Sequence, residues 1–381
     1  MESRPTVRSP ERRKVLLLGS YAPSLINFRG PLIAAMAERG HEVFAAAPDI
    51  DSDVAAKLVA LGATPVPVVL GRTSLNPVAT WRSGRQLRET VKRISPDVMI
   101  AYTIKPVVLG AIAARAAGVS CFAAMITGLG YAFLGGLNPK RLAIRLVAMA
   151  MYRRALGASK LVIFQNEDDR RDFGRLRLLP AGKPTLVVNG SGVDLDHFTP
   201  EPVPAETSFL MIARYLRDKG IREYGAAAAR LKSEFPEVRT RLAGWLDEAP
   251  DSIGRAGLDS IVAGGVEDLG RLADVRRAIA ESSVYVLPSY REGTPRTVLE
   301  AMAIGRAVIT TDAPGCRGTV VDGENGFLVP VADSDALYSA MRRFVEDSAL
   351  ARKMGEQSLR LVREKFDVNK VNAAILEATG L

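Results

Sequence analysis

The sequence predicts an α/β protein of two Rossmann-like domains in tandem, with the active site in the cleft between them. Three observations carry this. Short, fully apolar, β-rich runs alternate with helical stretches from residue 14 to the end, the pattern of parallel sheets covered on both faces. The length of 381 residues exceeds what one ordinary core organises. Finally, residues 189–206 are rich in Gly, Pro and Asp and lack periodicity, and the alternation restarts after them. In such sheets ligands collect at the carboxyl ends of the strands. The domains read as residues 1–190 and 191–367, with a closing helix in 368–381.

In the first domain, 14–19 (KVLLLG) is a strand and SYAPSLINFRG a loop. A helix over 29–39 ends at Gly40, 42–47 is a strand, and a helix over 54–61 stops at Gly62. Residues 64–70 form a strand whose two prolines put it at an edge. Helices follow over 77–94, 106–117, 139–156 and 167–176, with strands at 97–101, 120–126, 160–164 and 185–188. In the second domain, strands are expected at 209–213, 240–243, 260–262, 284–287, 307–310 and 326–329. Helices are expected at 221–235, 272–281, after Pro295, over 335–365 and over 368–379.

The stretch around which the second domain is organised is PSYREGTPRTVLEAMAIG, residues 288–305, which follows the apolar run VYVL. Glu292, Gly293 and Thr294 make a loop. Pro295 suits a first helical position and Thr294 the N-cap before it. A helix start offers unpaired N–H groups and a positive dipole end, a natural anion site. Glu292 before it and Glu300 within it add carboxylates suited to hydroxyls, so the stretch reads as a nucleotide-sugar site. Arg214 and Lys219, in ARYLRDKG, follow the first strand of this domain. Arg forks onto two phosphate oxygens and Lys acts as a point charge, the pair a departing diphosphate needs.

In the first domain, Gly19-Ser20-Tyr21 with Asn27 and Arg29 follows the opening strand but lacks the GxGxxG spacing, which disfavours a dinucleotide. The loop suits an anion or sugar contact and equally an ordinary turn. Gly128 and Gly130 lie at a strand end, where glycine permits close backbone approach to a ligand and equally makes a plain turn. His41 and His197 read as structural.

The net charge of +9 is unevenly placed: residues 1–200 carry 27 Lys and Arg against 15 Asp and Glu, residues 201–381 carry 24 against 27. The basic first half points to nucleic acid, a membrane surface or an anionic ligand. Arg82, Arg85, Arg88, Lys92 and Arg93 lie in one helix, with Arg72 near it. Lys140, Arg141, Arg145, Arg153 and Arg154 flank the apolar centre of another. That pattern suits anionic lipid, and the scarcity of interleaved aromatics speaks against single-stranded nucleic acid. No run of 18 apolar residues suggests a membrane span, and the first 13 residues lack the apolar core of a secretory signal. Cys121 and Cys316 are far apart and read as reduced thiols; two histidines make no zinc-ligand pattern.

NGSGVDLDHFTP, ARYLRDKG and PSYREGTPRTVLEAMAIGRAVITTDAPG, in this order along the chain, resemble the landmarks of the retaining glycosyltransferases of family 4. FRGPLIAAMAERGHEV, YTIKP and ITGLGYAF further resemble a bacterial subgroup that adds a sugar, often an N-acetylhexosamine, to an undecaprenyl-diphosphate-linked acceptor. The resemblance runs from about Val15 onward. It implies the GT-B fold, a donor held by the second domain, an acceptor held by the first, and a last helix returning to the first. Arg214 and Lys219 would hold the donor diphosphate, and Glu292 the hydroxyls of the transferred sugar. Gly293, Thr294, Pro295 and Thr297 would line the sugar and phosphate, and Glu300 would take the ribose. Relatives carry a histidine near the strand ending at Ala101; AYTIKP has none, which leaves Thr103, Lys105 or no side chain in that role. Relatives commonly show Glu where GCRG has Gly318, and no role is transferred there.

The expected activity is therefore a retaining transfer from a UDP-sugar to a lipid-diphosphate-linked sugar. It would need no metal and no cofactor, and would run at the inner face of the cell membrane from the cytoplasm. No DxD motif stands at a strand end. A nucleotide-sugar 2-epimerase would need acid/base groups that the two histidines do not supply, and a non-catalytic nucleotide-sugar binder need not keep Arg214, Lys219, Glu292 and Glu300 together.

Overall fold

The computed structural model describes residues 12–70, 77–128, 139–249 and 251–381. The chain divides into two compact units, residues up to Val188 with Asn372–Leu381, and Asn189–Val371.

The first unit contains, in chain order, β1 (Lys14–Leu18), α1 (Ala22–Asn27), α2 (Gly30–Glu38), β2 (Glu42–Ala47), α3 (Ser52–Ala60), β3 (Ala63–Pro67) and α4 (Pro77–Ile94). β4 (Val98–Tyr102), α5 (Ile104–Ala117), β5 (Cys121–Ile126), α6 (Pro139–Ala158), β6 (Leu161–Phe164), α7 (Glu167–Arg175) and β7 (Thr185–Val187) follow. All seven strands are parallel, in the order β3-β2-β1-β4-β5-β6-β7. β4, β5 and β6 are buried at every residue, which is why they read as unbroken apolar runs. The proline-bearing β3 is an edge strand, where missing N–H groups cost no ladder bond.

The second unit contains β8 (Ser208–Arg214), α8 (Ile221–Glu234), β9 (Arg239–Trp245), α9 (Gly254–Ala263), β10 (Val266–Asp268), α10 (Arg276–Ala280) and β11 (Val284–Leu287). Then come α11 (Arg296–Ala303), β12 (Ala307–Thr311), β13 (Gly326–Val329), α12 (Ser334–Glu346) and α13 (Ser348–Lys365). Its six parallel strands run β10-β9-β8-β11-β12-β13. The core between sheet and helices includes Leu210, Val286, Ile309, Leu299, Met341 and Phe344. The last helix, α14 (Val368–Thr379), starts in this unit, and from Asn372 on its residues belong to the first. There Ile375, Leu376 and Thr379 are buried, and Arg39 Nη1 donates to the Leu381 carbonyl at 2.7 Å.

Two expectations fail locally. Residues 260–262 are not a strand but the last turn of α9: Leu258 and Ile261, three apart, are buried while Val262 is 44% exposed, so the period is helical. The loop after β1 contains the helix α1, started by Pro23 in its first turn. The helices expected over 335–365 are there as α12 and α13: Asp347 ends α12, and its carboxylate accepts from Ala349 N to open α13.

Candidate active site

In the second unit the chain leaves β8 toward β9 on one side and β11 toward β12 on the other. The carboxyl ends of β8 and β11 thus form a switch point, where the loops diverge and leave a crevice. After β8 comes a single 3-10 turn, Arg217–Lys219, closed by Gly220 at φ +72°. A Cβ on Gly220 would lie 2.2 Å from the Pro288 carbonyl oxygen, so glycine lets the two loops touch. Tyr290 N donates to the Asp218 carbonyl at 2.8 Å and stitches them. The result is a contact between side chains far apart in sequence: Lys219 Nζ lies 2.6 Å from Glu292 Oε1, each side chain under one-fifth exposed.

Charge around this pair is dense. Burial opposes the Lys219 charge, but Glu292 in contact, with Asp218 nearby, outweighs it and holds the ammonium above its ordinary range. Asp218 is pushed up, first by burial and then by Asp251 and Glu292, against the pull of Lys219 and Arg214. Its buried Oδ1 has no hydrogen-bond partner among the described residues. Arg214 is more open and pairs with Asp247 Oδ2 at 2.9 Å. The structure therefore brings Arg214, Lys219 and Glu292 into one electrostatic cluster, together with Asp218 and Asp247, which sequence reasoning missed.

The loop before α11 corrects one expectation. Pro295 (φ −71°, ψ 111°) is itself the N-cap and the helix begins at Arg296; the Thr294 hydroxyl donates to the Gly293 carbonyl instead of capping. Val298 N and Leu299 N both donate to the Pro295 carbonyl, at 3.1 and 3.3 Å, and the amides ahead of them precede the first intrahelical acceptor, as at any helix start. Gly315, at φ +78°, runs against this loop: a Cβ there would sit 2.1 Å from the Glu292 carbonyl oxygen, and Glu292 N donates to the Pro314 carbonyl at 3.1 Å. Gly190 approaches Thr294 closely from the other side. Behind this loop the fully buried Tyr285 hydroxyl donates to the Ile212 carbonyl at 3.1 Å. Glu300 is 5% exposed, and Arg296 Nε lies 2.7 Å from its Oε1. Burial raises the Glu300 carboxyl, with Arg296 partly offsetting it. Sequence reasoning missed Arg296 too, although its spacing of four from Glu300 on a helix was there to be read.

In the first unit, at the ends of β1 and β4, Gly19 packs against Tyr102, Ser20 Oγ lies 2.9 Å from Thr103 Oγ1, and Arg29 lies over the Tyr102 ring. Asn27 is exposed at the end of α1, and Lys105 lies in the first turn of α5, its ammonium lowered by burial. Gly128, at φ +135°, follows β5, and a Cβ there would meet nothing within 4 Å among the described residues. Gly130 lies outside the described residues.

Both cysteines are buried and free; burial, then Glu292, pushes the Cys316 thiol up to about 12. Among the described residues no three His, Cys, Asp or Glu side chains are grouped to hold a metal ion, and no helix is long and apolar enough to cross a membrane. The basic residues of α4 from Arg82 to Arg93 are exposed, and Arg72 lies outside the described residues. On α6, Ala148, Tyr152, Ala155 and Leu156 face the core, whereas Leu142, Leu146, Val147 and Met151 are exposed.

Known proteins resemble the chain along nearly its whole length. Residues 29–190 match the family described as glycosyl transferase 4-like domain, and residues 206–347 that described as glycosyl transferases group 1. The Campylobacter jejuni N,N'-diacetylbacillosaminyl-diphospho-undecaprenol alpha-1,3-N-acetylgalactosaminyltransferase is 29% identical over 351 residues, 88% of this chain and 90% of that one. An Escherichia coli UDP-Gal:alpha-D-GlcNAc-diphosphoundecaprenol alpha-1,3-galactosyltransferase is 26% identical over 75% of each chain. The fold is that of the Anabaena protein HepE, solved with UDP and glucose, at a TM-score of 0.78 and 20% identity over 96% of this chain and 99% of that one. It is equally that of sucrose-phosphate synthase from Thermosynechococcus elongatus, at a TM-score of 0.78 and 18% identity over 96% and 98%. With both domain families matched in sequence and the GT-B fold matched in structure, the chain belongs to the glycosyltransferases.

Proposed function

We propose that the enzyme moves a sugar, an N-acetylhexosamine, from a UDP-sugar to a lipid-diphosphate-linked sugar acceptor, with retention at the anomeric carbon and without a metal ion. The observation that carries this reading is the Lys219–Glu292 contact at the switch point of β8 and β11. It sets a buried ammonium beside a carboxylate at the place where doubly wound sheets bind nucleotides. The names of the undecaprenol-linked relatives support the acceptor class.

In this reading Lys219 and Arg214 take the diphosphate, and neutralise the charge that gathers on it as the glycosidic bond breaks, the task a divalent ion performs elsewhere. Amides of Gly293, Thr294 and Thr297 around the start of α11 add dipoles aimed at the same anion. Glu292, relieved of Lys219, accepts from hydroxyls of the transferred sugar, and Glu300 accepts from the ribose. With no second carboxylate assigned as nucleophile, the acceptor hydroxyl attacks from the leaving-group face, and its proton passes to the departing phosphate oxygen. The exposed apolar row Leu142, Leu146, Val147 and Met151 on α6, with basic residues at both ends of that helix, would rest on an anionic membrane at the cytoplasmic face, where a lipid-linked acceptor is found.

Incubation of the protein with labelled UDP-sugars and a prenyl-diphosphate-linked sugar tests the proposal. Transfer of label to the lipid-linked product with α configuration is expected. Epimerised UDP-sugar without transfer, or binding without turnover, would replace the proposal with another function.

A further inference from the structure

The cluster around Lys219 holds carboxylates beyond those its cations use. Arg214 has Asp247 as its partner at 2.9 Å, and Lys219 has Glu292 at 2.6 Å. Asp218 and Asp251 act on each other in the same cluster, and neither has an ion pair among the described residues. Asp218 is the less well provided for. Its Oδ1 is sealed from solvent and accepts no hydrogen bond, and nothing among the described residues donates to Oδ2. Glu223, in the first turn of α8, also has a sealed oxygen, Oε2, but its Oε1 takes the Tyr290 hydroxyl at 2.6 Å. A carboxylate closed off from water without donors is costly, and an un-ionised carboxyl is much less so.

The backbone keeps Asp218 where it is. Its carbonyl accepts from Tyr290 N at 2.8 Å, Arg217 N donates to the Asp251 carbonyl at 2.9 Å, and Gly220 lies against Pro288. Charged groups face it from each loop of the site. Lys219 and Arg214, on its own segment, favour the ionised form, whereas Asp251, ahead of α9, and Glu292, ahead of α11, favour the proton. The Tyr290 phenol is close as well; burial, then Glu223, pushes it up to about 12, so it stays neutral.

A diphosphate shifts this balance in one direction. It occupies the two cations that keep Asp218 ionised, and it adds negative charge beside a carboxylate that already lacks donors. Like charges close together in a partly dry site do not all stay ionised, and the weakest acid takes a proton. The phosphodiester groups of a sugar nucleotide are too strongly acidic to take it, and Glu292 would be accepting from sugar hydroxyls.

Resting on the donor site proposed above, we infer that donor binding is linked to proton uptake: as the diphosphate of a sugar nucleotide settles on Arg214 and Lys219, one proton passes from solvent to the Asp218 carboxyl. An O–H bond forms on Asp218 and none breaks in the donor. Affinity is then greatest at low pH, falls as pH rises through the titration of Asp218 in the free protein, and levels off above that of the complex.

The test is calorimetric titration of the full chain with UDP-N-acetylglucosamine and UDP-N-acetylgalactosamine in turn. Buffers of matched pH and different ionisation enthalpy, from about pH 5 to about pH 8, give the number of protons taken up. The diphosphate of either probe stays fully ionised over this range, so the proton belongs to the protein. The count for the parent minus that for Asp218→Asn is the share of Asp218, and a difference approaching one proton is expected. Glu300, also raised by burial, contributes to both and cancels. The parent's affinity should fall by up to about tenfold per pH unit within the range, and that of Asp218→Asn should stay more nearly level. At the upper end Asp218→Asn should bind at least as tightly as the parent, which a merely structural role would not produce. Asp218→Ser repeats the comparison with a second neutral side chain and guards against a fold defect in the first. Equal proton counts in the parent and both variants would overturn the inference and leave the donor site standing. Failure of the parent to bind either probe would overturn the proposed donor site, and this inference with it.

Discussion

Lys219 Nζ and Glu292 Oε1 are 2.6 Å apart, so without a ligand the ammonium that would grip a diphosphate is already neutralised by the carboxylate that would grip the sugar. A donor must separate the two before it can use either.

Glu292→Gln should therefore act in opposite directions on binding and chemistry. UDP, which has no transferred sugar, should bind several-fold tighter because Lys219 is released, while turnover of the UDP-sugar falls by about 100-fold. Lys219→Ala should lower both, with the barrier to turnover raised by about 3 kcal/mol. Calorimetry with UDP and initial rates on the same preparations check this; unchanged UDP affinity in Glu292→Gln would mean that the pair does not restrain the lysine.

Glu300 gives a pH signature. Burial raises its carboxyl above the ordinary value of 4.5 in the folded protein, so the folded state holds the proton more tightly than the unfolded chain. Its stabilising contribution is present below the unfolded value and is lost as pH rises through the folded one. Glu300→Gln should thus raise the melting temperature at pH 7, and the gain should vanish toward pH 4. The same change should weaken UDP binding about tenfold, because a charged acceptor for the ribose is lost. A melting temperature lowered equally at both pH values would show instead that the Arg296 contact dominates.

Metal removal supplies a third check. With Arg214 and Lys219 neutralising the leaving group, turnover in excess EDTA should equal turnover in magnesium. Loss of activity in EDTA that magnesium restores would assign that charge to an ion.

The outward row of α6 predicts lipid binding. Replacing Leu146 and Val147, 58% and 59% exposed, with Glu should reduce sedimentation with anionic liposomes by roughly tenfold, because apolar area is lost and negative charge is added. Binding should also weaken as salt rises. Equal sedimentation of variant and parent would remove α6 from the contact.

Much of the fold could be read from the chain because burial on both faces erases ambiguity. VYVL and GFLV could scarcely be other than strands of a covered parallel sheet, and they are β11 and β13. Residues 260–262 misled because a short run of Ile and Val fits a strand and a helix equally; only the burial of Leu258 beside Ile261 decides. In the site, the residue types of Lys219 and Glu292 were legible, but their contact spans 73 positions and depends on Gly220 letting two loops touch. The burial of Arg29 gave no sequence signal, since arginine in a polar βα loop ordinarily faces water.

The closing helix has a consequence for synthesis. The second unit is complete once Val371 has been made, but the first lacks residues 372–381, among them the buried Ile375 and Leu376. A chain emerging from the ribosome would therefore finish its later unit before its earlier one. Residues up to Val188 would wait for the rest of the chain, on the order of 10–40 s at ordinary elongation rates, with the surface that α14 covers still open to water or to a chaperone.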